Sequence, residues 1–239
     1  MNLIFSKTIF AFYIMIENIK LFFEITKFRL SLLVALSSVF GFFISTSNVD
    51  IYEVFILLVG GYLISSSSVI NNQILEKDLD KMMNRTNKRP IPTGRISVYK
   101  SVIMSIFSMI IGLFLISFYL NIYAALLSFI SLILYSFVYT PMKKFGPIAV
   151  FIGAIPGALP TLIGWVASTG QITLEAIIIF SIQFIWQFPH FWAIAWMYDD
   201  DYKKVGFKLL PNNGEKNLKT AVNCLLYTSR AHETSTYLV

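Results

Sequence analysis

Residues 52–90 read YEVFILLVGGYLISSSSVINNQILEKDLDKMMNRTNKRP, an apolar run followed by carboxylates and then by a block of cations. The run over 52–75 is long enough to cross about 30 Å of hydrocarbon as a helix. At its end Asn72, Glu76 and Asp80 stand at four-residue spacing, with Arg85, Lys88, Arg89 and Arg95 beyond them. That spacing puts three oxygen-bearing side chains roughly on one helical face, drifting by about 40° per step. Acids interleaved with bases are not needed to orient a span, since Lys and Arg alone do that. Ser65–Ser68 and Asn71–Asn72 place a polar face inside the apolar helix, and polar groups at membrane depth mark pockets. Carboxylate and amide oxygens suit Mg²⁺, which commonly shares phosphate oxygens and keeps waters. The Arg/Lys block suits phosphate charge. The stretch therefore reads as a metal–diphosphate site at the surface of a membrane-spanning helix.

The rest of the chain agrees with a membrane bundle. Its 239 residues are 56% hydrophobic and only 13% charged, and the mean hydropathy is +0.69. A soluble domain carries about 25% charged residues. The 22 Phe and 12 Tyr suit lipid-facing and interfacial positions. The net charge of +6 resides in short loops between apolar runs, so it reports topology and gives no reason to expect nucleic acid. One cysteine, Cys224, excludes a disulfide framework and a thiolate metal site. Two histidines, His190 and His232, exclude multi-histidine metal chemistry.

Six spans are expected, near 31–47, 52–75, 98–120, 121–140, 147–168 and 172–197. Lys20, Lys27 and Arg29 precede the first. Spans two, four and six open onto Lys77–Arg95, onto Lys143 and Lys144, and onto Asp199–Lys208, whereas the intervening turns carry no cations. Every cation cluster falls on one side, which the positive-inside rule makes cytoplasmic, together with the N-terminus and the site loops. Residues 1–24 read as an interfacial amphipathic segment without a small-residue cleavage site. Residues 25–217 read as the transmembrane domain. Within 218–239 a seventh span starts at Leu218 and breaks off after Leu226 into a polar tail. We expect that tail to be non-native and the transmembrane domain to be incomplete, with its cavity open to lipid and its activity lost.

Several strings then acquire a more specific meaning. Asn72-xxx-Glu76-xxx-Asp80 resembles the first acidic motif of the intramembrane (UbiA-type) prenyltransferase superfamily. Met83-Asn84-Arg85-Thr86-xx-Arg89-Pro90 resembles one branch of it, the protohaem IX farnesyltransferases or haem O synthases. Tyr139-Thr140-Pro141-Met-Lys143-Lys144, Gly153-Ala-Ile-Pro156-Gly157-Ala-Leu-Pro160-Thr-Leu-Ile-Gly164-Trp165 and Trp186-Gln187-Phe188-Pro189-His190-Phe191 resemble the same branch, so the likeness covers roughly residues 25–215. It implies an all-α polytopic bundle, usually of nine helices, in a bacterial cytoplasmic (inner) membrane. The substrates it implies are farnesyl diphosphate and haem b, the cofactor Mg²⁺, and the partners haem A synthase or terminal oxidase assembly.

The resemblance also distributes roles. Asn72, Glu76 and Asp80 become the catalytic metal-binding set, joined by Asp200 and Asp201 from the second acidic region. Arg85, Lys88, Arg89, Lys143, Lys144, Lys203 and Lys204 become diphosphate ligands. Aligning Lys203-Lys204-Val205-Gly206 with the superfamily's second motif puts Tyr198 and Tyr202 at its two acid positions. Which of Asp199–Asp201 reaches a metal stays open, with solvent exposure of one or two as the alternative. His190, Gln187 and Trp186 become haem-binding candidates, His190 and Gln187 being expected to face the central cavity. A lone histidine in an apolar helix is otherwise a satisfied structural residue. Gly153-xxx-Gly157 has the small-residue spacing of close helix packing. The implied reaction is ionisation of an allylic diphosphate, attack by a haem vinyl group and water capture of the resulting cation. A prenyltransferase acting on an aromatic quinone precursor is the nearest alternative. A transporter is a more distant one, because transporters place ionisable groups near mid-bilayer.

Overall fold

The computed structural model describes residues 15–211. They form α1 (15–25), α2 (Phe28–Ser45), α3 (Ile51–Leu75), α4 (Lys77–Met82), α5 (Val98–Tyr119), α6 (Ile122–Ile133), α7 (Thr140–Met142), α8 (Ile148–Thr169), α9 (Leu174–Met197) and α10 (Asp199–Lys204). A π-helical turn, Leu134–Tyr139, joins α6 to α7, and a 3₁₀ turn, Lys143–Phe145, follows α7. No strand occurs among the described residues. Six helical stretches are long and apolar enough to cross a membrane, the fourth running continuously from Ile122 to Phe145. All six expected spans are present. The seventh-span start at 218 and the tail to 239 lie outside the described residues.

Four of the six spans begin where the sequence supplies a side-chain cap. Asp50 accepts the amide of Tyr52 at 2.8 Å, Ser97 that of Lys100 at 3.3 Å, Asn121 that of Ala124 at 2.9 Å and Thr173 that of Ala176 at 3.4 Å. Asn121 also donates to the carbonyls of Val166 and Ala167 at 2.8 and 3.0 Å, in the last turn of α8 before it ends at Gly170 (φ 69°). One side chain thus closes two helix ends away from the site.

The interior is organised around α8, two-thirds of whose spanning window is buried. It packs against α2, α9 and α6, while α3 lies between α2 and α5. Two glycines make the α2–α8 crossing possible. A Cβ on Gly164 would sit 1.7 Å from the Ser38 carbonyl oxygen, and one on Gly41 2.0 Å from that of Thr161. The anticipated pair, Gly153 and Gly157, leaves room instead for side chains, the ring of Tyr139 and the amide of Gln187.

Part of the α3 polar face also serves packing. Ser67 and Ser105 share a hydrogen bond at 2.9 Å, and Ser105 donates to Asn71 Oδ1 at 2.7 Å, so these groups join α3 to α5 and do not line a pocket. Asn72, one residue on and about 100° round the helix, faces the other way, toward α7.

At the α1–α2 corner Lys27 takes a left-handed conformation, φ 45° and ψ 59°, the one positive φ outside glycine among the described residues. For a residue with a Cβ this costs about 1–3 kcal/mol and persists only where the surroundings enforce it. They do so here. Thr26 donates to the Phe22 carbonyl at 2.8 Å, Ser31 to that of Thr26 at 2.7 Å and Gln73 to that of Ile25 at 2.6 Å.

Candidate active site

The site is built where α3 gives way to α4. The helix breaks at Glu76 (φ −97°, ψ 7°) and restarts at once, the amide of Asp80 donating to the Glu76 carbonyl at 2.7 Å. Glu76 and Asp80 are both buried, and each carboxylate holds a cation from another element. Lys143 Nζ lies 2.9 Å from Glu76 Oε1, and Arg89 Nη1 lies 2.7 Å from Asp80 Oδ2. Asn72 Nδ2 donates to Thr140 Oγ1 at 3.1 Å, and Thr140 donates to the Tyr135 carbonyl at 2.9 Å. The backbone N–H of Thr140 donates to the same Tyr135 carbonyl and closes the π-helical turn. Turns of this kind are rare and concentrate at functional sites; this one brings Thr140 to Asn72 and the Tyr139 ring under Lys143, at 4.8 Å.

The second acidic region is occupied differently from expectation. Asp201 accepts the backbone N–H groups of Asn84 and Arg85, at 3.1 and 3.0 Å, and pairs with Lys204 at 3.0 Å. The N–H of Arg85 first, and the Lys204 ammonium after it, hold its carboxyl below the usual carboxylate range. Asp201 thereby ties α10 to the loop after α4 and is not free for a metal in this arrangement. Asp200, also expected among the metal ligands, is exposed; the buried member of the trio's other two is Asp199, paired with Lys203 at 2.7 Å.

The same loop explains the Met83–Pro90 string. Met83 and Thr86 are buried, and Thr86 donates to the Asp80 carbonyl at 3.0 Å. Arg85 lies over the Tyr198 ring at 4.6 Å, and Tyr202 packs beside Phe207 at 5.8 Å. We expect Asp201→Ala to leave two amides without acceptors and to loosen residues 83–86. Hydrogen exchange of the Asn84 and Arg85 amides should accelerate at least tenfold; unchanged exchange would mean the loop is held by Met83 and Thr86 alone. The sign with pH follows from the lowered carboxyl: the tie is present above the ordinary aspartate range and is lost as pH falls through the depressed value.

The proposed phosphate ligands separate into two groups. Arg89 and Lys143 are inside. Lys88, Lys144, Lys203 and Lys204 are exposed, and Arg85 reaches the rim. An ammonium in bulk water is screened and adds little to a buried site. The haem candidates also separate. Gln187 is buried and donates to the Gly157 carbonyl at 3.2 Å. Trp186 and His190, one helical turn apart, lie on the exposed face of α9. The expectation that His190 and Gln187 share the central cavity is corrected. Gln187 and His190, three residues apart, lie only about 60° from one another round α9, yet Gln187 is buried against α8 while His190 is exposed among the described residues.

Whether the residues fit Mg²⁺ is tested by the acids themselves. No three Asp, Glu, His or Cys side chains converge among the described residues, so the five-residue set Asn72, Glu76, Asp80, Asp200 and Asp201 is not one cluster. Mg²⁺ ordinarily takes one or two carboxylates, with phosphate and water oxygens completing the shell. Asp80 Oδ1 is fully buried with no hydrogen-bond partner among the described residues. Asp80 and Glu76, with the Asn72 amide oxygen, fit that pattern.

A lipid-embedded bundle with acids and bases facing one another at one end of α3 defines the intramembrane prenyltransferase class. The UbiA prenyltransferase family matches residues 33–230, and the chain belongs to that family. It is 46% identical over 215 residues to the protoheme IX farnesyltransferase of Cytophaga hutchinsonii, a match covering 90% of this chain and 75% of that one. It is 45% identical to the Christiangramia forsetii protein of the same name, over 86% of this chain and 68% of the other. Among solved structures, digeranylgeranylglyceryl phosphate synthase superposes with a TM-score of 0.71 at 22% identity, covering 90% of this chain and 75% of that one. A UbiA homolog from Archaeoglobus fulgidus bound to DMAPP and Mg²⁺ superposes with a TM-score of 0.66 at 16% identity, covering 90% and 86%. These two likenesses establish the fold, and the six membrane-length apolar helices together with the family match make it a multi-pass membrane protein.

Proposed function

We propose that this protein transfers the farnesyl group of farnesyl diphosphate to a vinyl group of haem b, making haem O at the cytoplasmic face of a bacterial inner membrane. The observation that carries the diphosphate half is the pair of buried carboxylates, Glu76 and Asp80, one turn apart and each matched with a cation. The acceptor half is supported by the name shared by the relatives from Cytophaga hutchinsonii and Christiangramia forsetii. Haem b is a substrate in this reading. The positive loops support the cytoplasmic side.

Asn72, Glu76 and Asp80 would hold Mg²⁺, which when bound neutralises diphosphate charge and aids its departure. Arg89 and Lys143 neutralise the same charge electrostatically, in a site sheltered from bulk water. Both bases now pair with the acids; with the carboxylates engaged by a metal, Arg89 and Lys143 would be available to the phosphate oxygens. The allylic C–O bond breaks with its electron pair leaving on the diphosphate. The vinyl π pair attacks the allylic carbon, and the new cation takes hydroxide from water, releasing one proton.

The test is incubation of membranes with haem b and farnesyl diphosphate, with and without Mg²⁺, read by mass spectrometry. A chain extended to the length of the Cytophaga hutchinsonii relative is run beside the 239-residue chain. We expect the haem mass to rise by the farnesyl and hydroxyl additions, only with Mg²⁺. Absence of that product from the extended chain, with prenylation of an added quinone precursor, would move the protein to the alternative acceptor.

A further inference from the structure

We infer that Arg95 is a positioning residue for Arg89: anchored on Glu24 of α1, its guanidinium fixes the two peptide carbonyls that flank the Arg89 Cα and so aims that side chain at the diphosphate position. The inference rests on the site reading above and extends it to a cation that takes no part in the site itself.

Arg95 is exposed, yet most of its N–H groups are engaged. Nη1 and Nη2 grip the Glu24 carboxylate at 2.7 and 2.5 Å. Nη2 also donates to the Lys88 carbonyl at 2.8 Å, and Nε to the Thr93 hydroxyl at 3.2 Å. An exposed ion pair adds little to stability, and a long side chain gives up rotamer freedom to be held in one place. Bonds to three different groups from one planar fork therefore point to the placement of what they touch.

What they touch is the backbone of Arg89. The Lys88 carbonyl precedes the Arg89 Cα in the chain, and the Arg89 carbonyl follows it. The first accepts directly from Arg95. The second accepts the Thr93 hydroxyl at 2.7 Å, and that hydroxyl in turn accepts from Arg95. The Arg89 amide donates to the Thr86 carbonyl at 3.0 Å. With all three polar groups held, the two soft dihedrals of Arg89 are set, and the direction of its Cα–Cβ bond with them.

The segment beyond Arg89 is closed on itself. The Thr93 amide returns to the Arg89 carbonyl at 3.2 Å and the Ile96 amide to that of Pro90 at 3.3 Å, the chain reversing at Gly94 (φ 75°). Ile91 and Ile96 pack with Ile25, the residue after Glu24, so α1 holds this loop by an apolar contact and a charged one. From that frame Arg89 reaches Asp80 Oδ2 at 2.7 Å. Once a metal engages Asp80, the guanidinium meets phosphate from the same backbone position, where a misplacement of about 1 Å can cost on the order of 10²-fold.

The experiment is calorimetric titration of the detergent-solubilised full chain with inorganic diphosphate in excess Mg²⁺, carried to high diphosphate so that weakened variants still report. Arg95→Met should weaken binding by about tenfold, as for a displaced charge-assisted contact, and leave the melting temperature nearly unchanged. Arg95→Lys should weaken it almost as much, because one ammonium cannot reach Glu24, Lys88 and Thr93 together. The decisive comparison is a double-mutant cycle. In an Arg89→Met background, Arg95→Met should change binding by less than about twofold, since no guanidinium is left to aim. A merely structural arginine would impose its loss in both backgrounds. Lys100→Met, an exposed change of equal charge, should bind as the parent does. The inference is overturned if the loss persists undiminished without Arg89, if Lys100→Met weakens binding as much, or if Arg95→Met binds like the parent while Arg89→Met does not. If the parent binds no diphosphate, or Arg89→Met binds it as well as the parent, the site reading itself fails and this inference with it.

Discussion

Asp80→Asn lowers farnesyl transfer by about 10²–10³-fold, the range expected when one preorganised charge contact is removed from a transition state. The protein still inserts and folds. The reasoning is local. Asp80 is fully buried, Oδ2 holds Arg89 at 2.7 Å, and Oδ1 has no partner. An amide keeps an oxygen for Arg89 but replaces the other oxygen by an N–H₂ that cannot bind a cation. Leaving Arg89 without a counter-charge costs less than the ~3–5 kcal/mol of a broken interior pair, because its side chain retains 14% of its surface in contact with solvent. The assay is the rate of farnesylated haem formation against Mg²⁺ concentration, with thermal melting as the control for folding. Rates within threefold of the parent, at unchanged Mg²⁺ dependence, would reassign Asp80 to holding Arg89 and the loop.

Gly164→Ala should destabilise the bundle by about 3 kcal/mol or more, at or beyond the upper end for overpacked interiors. The added methyl would meet Ser38 O at 1.7 Å, Ser38 C at 2.7 Å and Phe42 N at 2.8 Å. All three are backbone atoms of α2, so no rotamer change relieves the clash and the two helices must separate. Since α8 is the most buried span, separation there also opens the packing of Phe42, Leu162 and Val166. Membrane yield should fall, and the melting temperature in detergent should drop by roughly 5–10 °C. Gly61→Ala makes the comparison, as its methyl would meet Ala35 Cβ at an ordinary 3.5 Å. Equal stability of the two variants would show that α2 and α8 can slide apart without loss.

Much of the fold is legible in the chain because lipid imposes a simple rule. Backbone groups must be satisfied within each span, so apolar length alone locates six helices, and the caps Asp50, Ser97, Asn121 and Thr173 mark the starts of four of them. Asn72, Glu76 and Asp80 are legible for a related reason: charge near a membrane is costly and stands out. Spacing within one helix permits close packing but says nothing about which helix, or which of its atoms, comes against it. Gly153-xxx-Gly157 has the spacing, yet Gly41 and Gly164, 123 residues apart by subtraction, make the backbone contact.

The acidic trio shows the same limit. Asp199, Asp200 and Asp201 are equivalent as letters; only the docking of α10 on the loop after α4 turns Asp201 to two amides and leaves Asp200 in water.

Composition, periodicity and the first acidic motif thus determined by themselves that this is a helical membrane protein with acids and bases gathered at one surface, because hydrophobic burial and charge exclusion are properties of short segments. Which bases answer which acids was decided only in three dimensions. Lys143 meets Glu76 across 67 residues of chain, and the Asn84 amide meets Asp201 across 117. Coulomb interaction depends on distance in space, and the chain acquires those distances only when its helices pack.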